Sequence, residues 1–297
     1  MLDFNEHVEA ALFNLKVREK ARRIFEAEQA SAFPPQGGVL AYDELPPEPP
    51  ELIEGVLLAH GATLISAEKE TGKSLCALEI QSSLLTGAPL WGELKPSKTV
   101  AKTVHFLAEH TSTNLQQHYR RTKIPREGEL RIFGPEHLGP NKLLVSSGSR
   151  REQAIDYYKE KARGAGLVVF DPLASFIQGE SAENDNSPMR SVVDAMIEIS
   201  QSTGAACLVL AHQGKPTFVE GHKVRRTSYA TRGASAAEDA ATAVHYLERV
   251  EGHQFNHNDV YLLRPVHYKG RKASSFKLIR DAETCRQTLM IKALQRG

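Results

Sequence analysis

The chain predicts an α/β fold: a mainly parallel sheet flanked by helices, with an antiparallel strand extension at the C-terminal end and a helical arm at the N-terminal end. Three observations predict it. Short apolar runs alternate with helical patterns from Glu51 onward, which is the mark of a parallel sheet. Between one such run and one such helix stands Ala67-Glu68-Lys69-Glu70-Thr71-Gly72-Lys73-Ser74, in the form of a phosphate-binding loop. From Ala240 on, β-leaning runs follow one another with no long helix between them.

The elements follow in order. Val8, Leu12, Leu15, Val17, Ala21 and Ile24 recur near helical spacing over 6–29, interleaved with Arg18, Lys20, Arg22, Arg23 and Glu26, so an amphipathic helix is expected there. Pro34-Pro35 breaks it, and Leu45-Pro-Pro-Glu-Pro-Pro50 reads as a semi-rigid linker. Residues 1–50 are therefore expected to form an arm and linker, and 51–297 the main domain. Such a helix packs either on its own core or on a neighbouring subunit. In the domain, strands are expected at 63–66, 104–108, 143–146, 167–171 and 207–212, and helices at 74–85, 113–121, 151–163 and 188–201. The runs at 244–250, 259–267 and 274–280 are expected to extend the sheet in antiparallel fashion.

Composition narrows the function. At 297 residues the chain suits one large domain with a small appendage. A formal charge of +1 carries no global basicity, so any nucleic-acid signal has to be local. The N-terminal residues lack a signal-peptide pattern, and no apolar run approaches the ~20 residues that span a bilayer. A cytoplasmic protein without a membrane partner is expected. Cys76, Cys207 and Cys285 are odd in number and scattered, which argues against a disulfide framework or a zinc cluster.

The phosphate loop carries the first chemistry. Backbone N–H groups over Glu70, Thr71, Gly72, Lys73, Ser74 and Leu75 would curl around phosphate oxygens. The Lys73 ammonium would neutralise the outer phosphates, and the Ser74 hydroxyl would ligate Mg²⁺. Gly72 lets the backbone approach without a Cβ in the way. A helix beginning here adds the positive end of its dipole. Ala67 stands where the motif has glycine; a turn with negative φ there would cost little.

Three strands end in polar groups. Leu167-Val-Val-Phe-Asp171 places an acid beside the loop serine, where Asp171 and Ser74 would share Mg²⁺. Val104-His-Phe-Leu-Ala-Glu109 supplies a second acid. Pro172 follows Asp171 with no adjacent carboxylate, so Glu109 is the natural group to orient or deprotonate an attacking water. Cys207-Leu-Val-Leu-Ala-His212-Gln213 ends in an imidazole and an amide; either could hydrogen-bond a γ-phosphate, or His212 simply caps its strand. The stretch 214–232 then carries Lys215, Lys223, Arg225, Arg226 and Arg232 against one acid, Glu220. It is the one locally basic stretch in a neutral chain and reads either as a DNA-contacting loop or as a solvated one. Lys269-Gly-Arg271-Lys272 lies between the last two of these runs.

Taken together, Ala67 to Ser74, Phe106-Leu-Ala-Glu109, Leu167-Val-Val-Phe-Asp-Pro172, Ala211-His-Gln213 and Arg232-Gly-Ala-Ser-Ala236 resemble the RecA-like ATPases. The resemblance is closest to the RepA-type hexameric replicative helicases, cousins of the DnaB helicases, and covers most of the chain after about Glu51. It implies a RecA-like core that binds ATP with Mg²⁺ at the interfaces of a hexameric ring. It implies Glu109 as the catalytic glutamate, His212-Gln213 as the γ-phosphate sensor, and the following loop as the contact to single-stranded DNA in the channel. Arg232 is then a finger or coupling residue, Lys269 and Arg271 a finger pair acting on a neighbour's nucleotide, and the N-terminal helix an arm that clasps that neighbour. Two other readings use the same residues: a recombination or repair filament, and a nucleotide-switched regulator that binds no DNA.

Overall fold

The computed structural model describes residues 50–109, 128–139, 149–177, 186–213, 217–219, 222–224, 235–255, 257–268 and 273–292, with Val17, Thr113, Leu115, Gln116, Gln117 and Arg120 besides. The chain divides into Met1–Pro47 and Glu48–Gly297. The helix expected over 6–29 lies outside the described residues, apart from Val17, which is helical.

In the second unit, β1 (Glu51–Ile53) and β2 (Leu57–Leu58) form a small antiparallel pair. The strands that follow are β3 (Ala62–Ala67), β4 (Lys102–Leu107), β5 (Glu129–Phe133), β6 (Leu167–Asp171), β7 (Ala206–His212), β8 (Thr217–Val219), β9 (His222–Val224), β10 (Ala243–Phe255), β11 (Asn258–Tyr268), β12 (Phe276–Arg280) and β13 (Gln287–Lys292). Nine of them make one sheet in the order β13-β12-β11-β10-β3-β7-β6-β4-β5. From β10 to β5 all neighbours run parallel. On the other side, β11 pairs antiparallel with β10 and β12 with β11, as expected, and β13 adds one more antiparallel strand; β10 itself, expected in the antiparallel extension, runs parallel to β3.

Strand parity builds the layers. Successive side chains on a strand face opposite ways. Val168 and Phe170 of β6, with Val104 and Phe106 of β4, pack on Ile155 and Tyr158 of the helix Ser149–Ala162 and on Val192 and Met196 of the helix Asn186–Thr203. An aromatic cluster fills this layer, with Phe106 edge-on to Tyr158 at 4.7 Å between ring centroids. Leu167 and Val169 face the other way, with Ile65, Leu208 and Leu210, onto Cys76, Ile80 and Leu84 of the helix Lys73–Thr86. The strands of the parallel core are buried on both faces and so read as continuous apolar runs, as parallel strands do. The helix Lys73–Thr86 is likewise buried on nearly every side, in a layer that also holds Leu263, Phe276 and Leu278 of the C-terminal strands.

Several details differ from expectation. β5 was not expected: its ELRIF sequence, exposed at Glu129 and Arg131 and half-buried elsewhere, fits a sheet edge rather than a core strand. β13, the other edge, was also unforeseen, as were the short helices Pro135–Leu138 and Ser235–Ala240. The basic stretch 214–232 holds a hairpin, β8 against β9, in place of an unbroken loop. The strand expected at 143–146 lies outside the described residues; of the helix expected at 113–121, positions 113, 115–117 and 120 are helical.

Candidate active site

The same parity that builds the core delivers the site. Counting by twos along each strand from a residue that faces the phosphate-loop helix, Val169 leads to Asp171 and Leu210 to His212, while Glu109 stands in the bend two residues past Leu107, the end of β4. β3, β7, β6 and β4 are consecutive in the sheet, so the three polar ends gather at the carboxyl edge where the loop after β3 begins. Ligands of open α/β sheets bind at that edge.

Ala67 is the last residue of β3, fully buried and paired with His212 on one side and Leu247 on the other. An extended residue needs no glycine, which removes any cost of the alanine. The left-handed backbone falls later, at Glu70 (φ 65°) and at Gly72 (φ 93°), the residue that caps the helix.

Lys73, 6% exposed, spends its three donors on nearby acceptors: the Ala67 carbonyl at 3.3 Å, the Glu68 carbonyl at 3.2 Å and His212 Nδ1 at 3.2 Å. Burial pushes the pKa of this amine down, against the pull of the Asp171 and Glu109 carboxylates, which favour the ammonium. With Lys73 donating to Nδ1, the proton of the His212 ring sits on Nε2, which faces Glu109 Oε2 at 3.5 Å. The other Glu109 oxygen accepts from Ser175 Oγ at 3.0 Å. A continuous line therefore runs from Lys73 through His212 to Glu109. Gln213 stays out of it: its backbone N–H donates to the Ala67 carbonyl at 2.9 Å and its amide to the Ser66 carbonyl at 3.3 Å. Of the two groups at the end of β7, the imidazole faces the site and the amide fastens β7 to β3.

Ser74 Oγ donates to Asp171 Oδ2 at 2.5 Å. Behind Asp171 stands His105, fully buried in mid-strand, with Nε2 at 3.4 Å from Oδ2 and Nδ1 at 3.0 Å from Gln81 Oε1; Gln81 in turn donates to Thr103 Oγ1 at 3.2 Å. Among the described residues no group of three or more His, Cys, Asp or Glu side chains could hold a metal ion. The adjacent hydroxyl and carboxylate are nonetheless the hard oxygen donors that suit Mg²⁺, which takes few protein ligands and completes its shell with water and phosphate oxygens.

Sequence reasoning missed His105, Gln81 and Ser175. His105 interrupts an apolar strand, and Ser175 follows Asp171 by four residues; those were the available signals. Lys215, Arg225, Arg226, Arg232, Lys269 and Arg271 lie outside the described residues, while Lys223 is placed by its backbone alone, in β9 opposite Phe218. Cys76 and Cys207 are buried free thiols, and burial pushes Cys207 up to about 12. No described helix is long and apolar enough to cross a membrane.

A family model described as an AAA domain matches residues 29–217, more than half of the chain. No curated protein matches it.

Proposed function

We propose a single-stranded-DNA motor, on the premise that the chain belongs to the AAA-domain family and is a nucleotide-hydrolysing phosphate-loop ATPase. The observation that carries the reading is the line Lys73–His212–Glu109. It joins the ammonium that would meet the outer phosphates, the carboxylate that would meet the attacking water, and the strand whose continuation is the basic stretch.

The roles follow from that geometry. A γ-phosphate entering the loop competes for the Lys73 ammonium with the Ala67 and Glu68 carbonyls and with His212. A proton donor on His212 Nε2 is then available to Glu109 or to the phosphate. Glu109, held at one oxygen by Ser175, keeps the other directed at the site, as a group that orients or deprotonates water must. Ser74 and Asp171 would hold Mg²⁺, which supplies charge neutralisation of the phosphates when bound. Loss of the γ-phosphate frees Lys73 and His212 to pair again. β7 leads directly into the basic stretch that holds Lys215, Lys223, Arg225 and Arg226, so a shift of His212 would pull on the segment that contacts nucleic acid.

The finer reading is a RepA-type ring, with Arg232, Lys269 and Arg271 completing the site of a neighbouring subunit. It rests on the resemblance of the motifs. The test is steady-state ATP hydrolysis with and without single-stranded DNA, with Lys73→Ala as the blank. Stimulation absent from the blank supports the motor; indifference to DNA favours a nucleotide-switched regulator. Neutralising Lys223, Arg225 and Arg226 together should flatten the salt dependence of DNA binding, by nearly one unit of log-log slope for each phosphate no longer neutralised. An unchanged slope would move the DNA site elsewhere. Closed rings in electron micrographs would separate a helicase from a filament-forming recombinase.

A further inference from the structure

The C-terminal strands reach the phosphate loop through one side chain. Arg280, the last residue of β12, donates from Nη2 to the Thr71 carbonyl at 2.5 Å and from Nη1 to Tyr261 OH at 2.9 Å. Its guanidinium lies over the Tyr261 ring, 3.9 Å from the centroid. A Cβ on Gly72 would collide with that guanidinium, so a larger residue at 72 would have to displace the arginine from the loop as well as adopt the left-handed backbone. Gln287, opposite Arg280 on β13, takes the carboxamide orientation that satisfies both its neighbours: its oxygen accepts from Arg280 Nη2 at 3.0 Å and its nitrogen donates to Glu79 Oε2 at 3.1 Å. Glu79, on the phosphate-loop helix, is fixed by Trp91 Nε1 at 3.0 Å and by the Gln287 backbone N–H at 2.7 Å. The line runs Thr71–Arg280–Gln287–Glu79, with Tyr261 as the floor.

A trans peptide points its C=O and the following N–H in opposite directions. Whatever grips the Thr71 carbonyl therefore sets the direction of the Gly72 N–H, one of the donors a phosphate loop turns on its anion. The grip also polarises that peptide and strengthens its N–H as a donor. Left-handed Glu70 needs such support, because a non-glycine residue there costs about 1–2 kcal/mol.

We infer that Arg280 is a positioning residue of the phosphate loop: by holding the Thr71 carbonyl it turns the Gly72 N–H onto the nucleotide's phosphates, and Gln287 and Glu79 hold it in that pose. The inference rests on the nucleotide reading of the loop. It makes the β12–β13 hairpin, 208 residues away from Glu79 in sequence at Gln287, a working part of the nucleotide site rather than a sheet margin.

The test uses the full chain and two ligands, ATP and inorganic tripolyphosphate, which has the phosphates and no base. Arg280→Ala should raise the KM for ATP and the Kd for tripolyphosphate by a common factor of roughly ten to a hundred, the worth of a hydrogen bond to a charged group. kcat should stay within about threefold, because Ser74, Asp171 and Glu109 are untouched. Gln287→Leu should move both constants the same way by less, and add nothing to Arg280→Ala. Should the alanine variant not fold, Arg280→Lys, which keeps the charge and loses the fork, decides alike. A merely structural residue would lower the melting temperature and active fraction and leave KM alone, which would overturn the inference. So would a loss confined to ATP, which would place Arg280 and Tyr261 at the base. A wild-type chain that binds neither ligand would overturn the nucleotide reading and this inference together.

Discussion

Replacing Glu79 by glutamine should change how stability depends on pH, and the structure gives both sign and size. Glu79 is 7% exposed, and burial pushes its carboxyl up to about 7, from 4.5 for an ordinary glutamate. The N–H groups of Gln287 and Trp91 and the charges of Arg280 and Arg286 pull the other way without overcoming the burial. The folded state thus keeps the proton when the unfolded chain has released it. An acid raised in this way contributes stability that is fully present below pH 4.5 and is lost as pH rises through 7. At about 1.4 kcal/mol per pH unit, the loss over that window is about 3 kcal/mol.

Glu79→Gln cannot titrate and should show no such loss. It carries a pH-independent cost of about 1–3 kcal/mol, because an amide has one oxygen for donors that now share two: Trp91 Nε1, the Gln287 backbone N–H and the Gln287 carboxamide. His245 acts in the opposite sense. Burial pushes its imidazole down to about 4 from 6.5, partly offset by the Val56 backbone, so its contribution is lost as pH falls from 6.5 toward 4. Both proteins share that term, and it cancels in the difference. The assay is urea unfolding of both chains at half-unit steps from pH 4.5 to 8. The gap in unfolding free energy should narrow or invert by about 3 kcal/mol as pH rises. A constant gap would refute the burial argument.

Three further outcomes are expected. Glu109→Gln should bind ATP with wild-type affinity and turn over at least about a hundredfold more slowly, as loss of a general base requires; equal kcat would remove Glu109 from the chemistry. Lys73→Met should melt at a higher temperature than the wild type without nucleotide, since it deletes a buried ammonium whose desolvation is unfavourable, while nucleotide should no longer raise that temperature. A lower melting point would contradict the assignment of burial as the main influence on Lys73. Gly72→Ala should lose nucleotide binding by tenfold or more and about 1–2 kcal/mol of stability, since alanine meets both a left-handed backbone and the Arg280 guanidinium; calorimetric titration and thermal melts read the two effects separately.

The parts of the site legible in sequence are those built from local order. The phosphate loop is contiguous, and strands buried on both faces announce themselves as apolar runs, so a polar residue at the end of such a run stands out. Asp171, Glu109 and His212 were found in that way. Contacts that depend on distant partners were hidden. Glu79 looks like any helix glutamate until Trp91 and Gln287 are seen to enclose it. Arg280 looks like an exposed strand end until Tyr261 and Thr71 are placed beneath it. The edge strands escaped notice because their alternation is weakest where solvent wets one margin. The phosphate-loop helix shows no clear apolar stripe, having no solvent face to contrast with its core face.

The parity that lines up Asp171 and His212 also sets where the gene can change length. Inserting or deleting one codon inside β4, β6 or β7 would rotate every later side chain of that strand to the opposite layer: Phe170 or Pro172 would stand where Asp171 does, and the acid would be driven into the aromatic cluster. No compensating substitution in a neighbour could undo it. Homologues should therefore differ in length only between strands, in stretches such as 110–127 or 225–234, and indel-bearing libraries should yield survivors there and none within the four strands that frame the phosphate loop.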